Sequence, residues 1–432
     1  MQLFGGVMSS ALWKVAVVHL TATVGLSCCF RGQVKAGDDL DVPAIAKYFS
    51  TKGRYEEVNP YLREDILAVN RSALRPPFAQ CREIHLTAIV RHGTRYPTAK
   101  NVRKMRKLYD LVRDRASGRG SWLQEIKSQW PMWYTEDMDG RLVRKGVSDH
   151  KHLAVRLSKL FPSLVSEEKL RGGHVRFVTS SKHRCVNSTL SFVAGLTELW
   201  AITDKEFDHV VNDALMRFFD KCTKFVQEVD NNPSALSEVD QFKKGPEMRR
   251  VQEKIADRLN VPYDTINDDM AEAAFYMCAY EFAIKTVNSP WCRLFDEVDA
   301  KVMEYANDLK QFWKRSYGHD INSKSSCILF HDVFSRLDKA VNENQPAGDG
   351  SRDSASRPCR DPPATAHPAG LLQGQRGLDI LQLRHTDPPL LPHQPHVALR
   401  SQLTPGAVRL WARRPETAAT AQREACDFPW FS

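Results

Sequence analysis

No cysteine in this 432-residue chain is followed by an arginine six residues later, so the thiolate phosphatase loop is absent. No glycine-rich stretch runs into Lys-Ser or Lys-Thr, which excludes a nucleotide-cradling phosphate loop. Zinc-finger spacing, an aromatic-basic RNA signature and a basic helix with heptads are lacking too, which argues against nucleic acid as the partner behind the net charge of +9. The charge then points to a membrane or a phosphorylated small molecule. Long apolar runs are also scarce. Leu12 to Phe30 is the one such stretch, with Lys14 its only charge and small residues near Ser27 and Gly32. It reads as a secretory signal over residues 1–30, with the mature body starting near Asp38. His19 and the threonines make it a poor spanning helix, and no stable membrane span is expected after cleavage. The alternative is an uncleaved anchor that keeps the chain at the cell membrane.

The last section is defined by what drops out of it. Beyond Lys339 there is no lysine and beyond Asn344 no asparagine; tyrosine and methionine vanish as well. Arginine, alanine and proline take over. Residues 346–432 show no sustained period and read as disordered. A natural Pro-rich tail is one origin. A shifted or misspliced reading frame accounts better for the sudden loss of several residue types.

Between these ends lies a body long enough for two lobes or an inserted subdomain. Its six cysteines, Cys81, Cys185, Cys222, Cys278, Cys292 and Cys327, suit an oxidising compartment, but six allow fifteen pairings and the sequence selects none. The expected location is the secretory pathway, lumenal or secreted. Asn70 and Asn187 head glycosylation sequons; the first lies in a polar stretch open to modification, the second follows a candidate site arginine and is expected bare.

Ile84-His85-Leu86-Thr87-Ala88-Ile89-Val90 reads as a buried strand, and Val175 to Thr179 as a second one. Val102, Met105, Leu108 and Val112 recur at helical steps within a basic stretch from Lys100 to Arg115. A helix over 147–160 and another opening at Ser180 or Ser181 are expected, followed by an almost wholly helical block over about 205–342. The pattern is that of an α/β domain carrying an α-helical insertion.

The first strand leads directly into Arg91-His92-Gly93-Thr94-Arg95-Tyr96-Pro97. A neutral imidazole is a competent nucleophile towards phosphorus, and adjacent guanidiniums keep it unprotonated while binding the transferring phosphoryl group. Phosphoryl transfer needs mainly positioning and charge stabilisation, and capture on histidine divides hydrolysis into two displacements. Arg184, just past the second strand, is the candidate for a third phosphate-binding arginine if the two strands lie side by side. Lys100, Arg103 and Lys104 would give the crevice a positive rim. Lys145 is a further candidate, and Gly146 would allow close approach of chain segments. His150, His152 and His174 lack acidic partners at metal-ligand spacing and read as surface or packing histidines, so no metal and no cofactor is implied.

The Arg-His-Gly-x-Arg-x-Pro motif beside a strand resembles the histidine acid phosphatase family, the branch of the phosphoglycerate-mutase-like fold that includes phytases. Thr179 to Cys185, Leu215-Met216-Arg217-Phe218-Phe219-Asp220, Lys244-Gly245-Pro246-Glu247-Met248, Ser289-Pro290-Trp291-Cys292 and Ile321 to Cys327 are similar to the multiple inositol polyphosphate phosphatases within it. The likeness covers roughly residues 40–345. It implies a histidine phosphatase domain over 38–345 that removes phosphates from inositol hexakisphosphate and lower inositol polyphosphates, and from 2,3-bisphosphoglycerate, without a metal. His92 would be the nucleophile, with Arg91, Arg95 and Arg184 on the phosphate. The family supplies a late His-Asp, or His-Ala-Glu, whose acid protonates the leaving alcohol. Neither occurs in the Pro-rich tail, nor does the family's C-terminal retention signal, so the domain reads as incomplete and its proton donor as unknown. General acid assistance contributes roughly 10²–10⁴-fold. A polyphosphate binder that does not turn over, or a product without function, is the alternative.

Overall fold

The computed structural model describes residues 42–71 and 82–344. The expected signal segment, Cys81 and the segment after 345 lie outside the described residues. Val102, Met105, Leu108 and Val112 form one stripe of α1 (Ala99–Arg115), and all four are fully buried. α2 (Arg144–Leu160) packs lengthwise on α3 (His183–Leu199). A Cβ at Gly195 of α3 would stand 2.6 Å from the Lys151 backbone of α2, so glycine is what permits the approach. Ala154 and Leu196 meet there over Val165, Leu170 and Ile202.

Between α2 and α3 runs β1 (Val178–Thr179), which pairs in parallel with β2 (Val210–Val211), Val178 opposite Val210. The sheet is smaller than the sequence suggested. Ile84 to Val90 joins no ladder among the described residues, and Ile84 is 37% exposed rather than buried. A strand exists where a neighbour takes its N–H and C=O groups, and no described strand lies beside this one. Leu86 nevertheless packs on the Ala154–Leu196 cluster. The Val175–Thr179 strand is likewise confined to its last two residues. Ser180 and Ser181 do not cap α3, which begins at His183. Ser181 instead gives its N–H and hydroxyl to Asp213 at 2.8 and 2.6 Å, tying the end of β1 to the segment after β2. The α/β plan holds with most of its mass in helices.

The helical block contains α4 (Pro246–Leu259), α5 (Asp268–Lys285), α6 (Glu297–Arg315) and α7 (Cys327–Glu343). Each start has a local cause. Pro246 occupies the first turn of α4, the Asn267 side chain accepts the Met270 N–H at 3.0 Å, and Asp296 and Asp299 cap α6 reciprocally. α5 is apolar nearly all round, as a helix enclosed by others must be. A disulfide joins its Cys278 to Cys292; Cys222 is also disulfide-bonded, while Cys185 and Cys327 are free thiols. Phe49, fully buried, sets its ring edge-on to Phe275 and Phe282 of α5 at 5.6 and 6.1 Å. That contact carries residues 50–53 to the functional cleft. No helix among the described residues is long and apolar enough to cross a membrane.

Candidate active site

The loop after Val90 is held by its backbone from both sides. Tyr96 N–H reaches the Arg141 carbonyl at 2.9 Å, Val143 N–H reaches that of Thr94 at 3.0 Å, and Gly93 N–H reaches the buried Ser188 hydroxyl at 3.0 Å. His150 of α2, 6% exposed, donates from Nε2 to the Arg91 carbonyl at 3.0 Å. Burial lowers its pKa, so of the surface and packing roles that the sequence left open it takes the packing one. The expected role of Gly146 is also seen: a Cβ on Gly93 would fall 2.4 Å from the Gly146 carbonyl oxygen.

His92 sits part-buried in this frame. Its Nδ1 lies 2.9 Å from the carbonyl oxygen of Gly93, which can only accept, so Nδ1 carries the proton and Nε2 the lone pair. Burial, followed by the charge of Arg91 and then of Arg95 and Arg184, lowers the imidazole pKa to about 3, against a weaker upward effect of the Gly93 bond. The ring is a neutral nucleophile across the physiological range.

Arg91 donates from Nη1 to the Thr51 carbonyl at 3.2 Å, and Arg95 from Nη1 to that of Tyr96 at 2.7 Å. Arg184 arrives from the first turn of α3. Gly140, at φ +68°, is where the two meet: a Cβ there would be 3.7 Å from Arg95 Nη1 and 3.8 Å from Arg184 Nη1. The Arg184 Nε is buried with no partner among the described residues, and burial first, then Arg95, lowers the guanidinium's pKa. Cations crowded this way are relieved by an arriving dianion. The structure thus brings Arg91, His92, Arg95 and Arg184 together without the two expected strands pairing; the α2–α3 contact and the loop bonds do that work.

His92, Arg91 and Arg95 open on a cleft of about 1080 Å³ whose other walls include Lys52, Arg156, Tyr280, Glu56 and Asp149. Lys145 bridges both of those carboxylates, at 2.8 Å to Glu56 and 2.6 Å to Asp149, and Asp149 also accepts the Thr94 hydroxyl at 2.9 Å. Burial works to raise the Glu56 pKa, but Lys145 wins and holds it below the ordinary carboxylate value. Lys145 therefore braces the wall. Glu56 is thus no neutral acid ready to protonate a leaving group, Asp149 is engaged by Lys145 and Thr94, and the described lining contains no other carboxylate.

The expected cationic rim is elsewhere. Lys104 is bound to Asp269 and Glu272 of α5, Arg103 to Glu136 at 2.6 Å, and Lys100 is exposed; none lines the cleft. Lys104 flanks the buried stripe one turn before Leu108 and so meets α5, while Arg103 faces away from that stripe towards the 136–138 turn. Lys52, which does line it, was missed. It lies forty residues before His92, in a stretch with no period, and its only local signal is the cationic Thr51-Lys52-Gly53-Arg54 turn.

The model of the histidine phosphatase superfamily (branch 2) matches residues 84–366, ending inside the compositionally distinct tail. The chain is 45% identical over 350 residues to multiple inositol polyphosphate phosphatase 1 of Homo sapiens, covering 77% of this chain and 71% of that protein. It is 50% identical over 303 residues to its Gallus gallus counterpart, covering 70% and 66%. Among solved structures, the phytase from D. castellii superposes with a TM-score of 0.51 at 14% identity over 69% of this chain and 64% of that one. Bifidobacterium longum multiple inositol polyphosphate phosphatase, solved in complex with inositol hexasulfate, gives 0.50 at 13% identity over 68% and 75%. These two likenesses concern the fold.

Proposed function

Because the chain belongs to branch 2 of the histidine phosphatase superfamily, a family of enzymes, we propose that it is a metal-independent phosphomonoester hydrolase acting on inositol polyphosphates. One observation carries the reading: the Nε2 lone pair of His92 is fixed among Arg91, Arg95 and Arg184. Nε2 attacks phosphorus, the P–O ester bond breaks, and its electron pair leaves on the alcohol oxygen. The three guanidiniums hold the phosphoryl oxygens throughout. Water then attacks the phosphohistidine, releasing phosphate and restoring the imidazole. The relatives' names support inositol hexakisphosphate and lower inositol polyphosphates as substrates. The same site suits 2,3-bisphosphoglycerate, a smaller ester with two phosphates. The disulfide-bonded Cys278, Cys292 and Cys222 support a secretory-pathway location.

A second reading rests on the binding of Glu56 and Asp149 to Lys145. With no unengaged acid in the described cleft, the alkoxide departs unassisted, and the chain would hold polyphosphates without turning them over. Phosphate release from inositol hexakisphosphate by the full chain, beside His92→Ala, separates the readings. Release that disappears in the variant is expected. Release that persists overturns the His92 mechanism, and tight binding without release favours the second reading.

A further inference from the structure

Residues 50–52 form a turn held from three directions. Ser50 has a left-handed backbone (φ 51°), a strained choice for a residue with a side chain. Its hydroxyl accepts from Asn307 of α6 at 2.8 Å and donates to Asp308 at 3.3 Å. The next carbonyl, of Thr51, takes Nη1 of Arg91. Lys52 follows, and its side chain stands at the boundary between the His92 cleft and a second cavity between α5 and α6. Its ammonium lies 3.9 Å from the ring centroid of Tyr276, and among the described residues it has no hydrogen-bond or ion-pair partner. The nearby carboxylate is engaged elsewhere, since Glu272 accepts from Tyr276 at 2.8 Å and from Lys104 at 3.1 Å. Lys310 of α6, in the same cavity, adds a second cation. The turn pinned to Arg91 thus brings a lysine without a hydrogen-bond or ion-pair partner among the described residues to the wall of the cleft that His92 also lines.

We propose that Lys52 is a further substrate-binding residue, taking a phosphate other than the one presented to His92. The proposal rests on the polyphosphate reading above and extends it. The groups facing Lys52 are Glu272 and Tyr276 of α5, Lys310 of α6, and Arg91 with Arg95 of the loop. Asp268, Lys243 and Glu304 share its second cavity, and the neutral His92 and paired Glu56 share the cleft. Burial first, then Arg91, Arg95 and Lys310, outweigh Glu272 and bring the lysine pKa down to about 7. An arriving anion favours the charged form, so Lys52 takes up a proton when the ligand binds above neutral pH and none near pH 5.

The test is calorimetric titration of the full chain with inositol hexasulfate, whose ester groups do not titrate, in buffers of differing ionisation enthalpy at pH 7.5 and 5. The wild type is expected to take up roughly half a proton or more per bound ligand at pH 7.5, and far less at pH 5. Lys52→Met should bind about tenfold more weakly, as loss of one charge-assisted contact implies, and lose the uptake. Lys52→Arg should keep the affinity without the uptake, a separation that a purely structural lysine would not produce. Melting curves confirm that both variants fold. Lys52→Met binding like wild type with the same proton uptake overturns this inference alone; a wild type that does not bind the hexasulfate overturns the polyphosphate reading with it.

Discussion

Gly146 and Thr94 meet backbone to backbone, so close that a Cβ on Gly146 would fall 2.2 Å from the Thr94 carbonyl oxygen. The first turn of α2 thereby sits directly against the loop that carries His92, and Thr94 reaches across to Asp149 at 2.9 Å. The obstacle is backbone, so a methyl group at 146 can be admitted only if helix and loop part. Gly146→Ala is expected to cost about 1–3 kcal/mol, the usual range for overpacking a tight contact. It should weaken binding of inorganic phosphate as well, since the loop moves with the strain. Urea denaturation and phosphate titration check both. Unchanged stability would mean that the helix and loop separate freely.

The contact was partly legible before the fold was known. A glycine after Lys145 marked a close approach, while the opposing segment could not be named, because fifty residues separate the two. The same boundary runs through the rest of the chain. Val102, Met105, Leu108 and Val112 announced α1 through a period that is local. The Arg91-His92-Arg95 cluster was legible for the same reason, being contiguous. The strand at 84–90 was misread because strand formation depends on a partner that the segment itself does not encode. Lys104 was placed at the rim because α1 was seen without α5, whose Asp269 and Glu272 claim it. Lys52 was passed over because its value comes from Phe49 anchoring the turn on α5, a contact set by residues more than two hundred positions away.

Lys145 bridges Glu56 and Asp149 with its side chain only 16% exposed and that of Glu56 8%. Lys145→Met removes the cation and leaves two carboxylates facing each other beside His92. Breaking one partner of such a buried pair costs about 3–5 kcal/mol, and partial solvation of Asp149 places the expected loss at the lower end. The acid dependence should shift as well. In the wild type the Glu56 pKa is depressed, so its contribution is present above the unfolded value and is lost as pH falls through the folded one. Without Lys145, only Arg54 and a backbone hydrogen bond oppose burial, so the folded pKa rises and protonation begins at higher pH. Urea midpoints measured from pH 7 to pH 3 should show the loss at neutrality and a variant whose stability deficit narrows towards acid. Parallel curves would mean that Glu56 does not titrate with Lys145.

The His92 imidazole is linked to stability in the opposite sense from a histidine that gains an acidic partner on folding. Its folded pKa is about 3, against an unfolded value near 6.5, with burial and the three arginines as the cause. Between those values the unfolded chain binds the extra proton, so stability rises with pH across that window. The contribution is whole above pH 6.5 and drains away as pH falls towards 3. His92→Gln lacks this linkage, and its stability relative to wild type should therefore improve between pH 7 and pH 4.5, as urea midpoints will show. Nuclear magnetic resonance gives the direct check. The His92 ring signals, identified by their absence in His92→Gln, should not move between pH 7.5 and pH 4.5. A midpoint near 6.5 in the phosphate-free chain would show that the arginines do not surround the ring as described, and the nucleophile's neutrality under acid conditions would lose its basis.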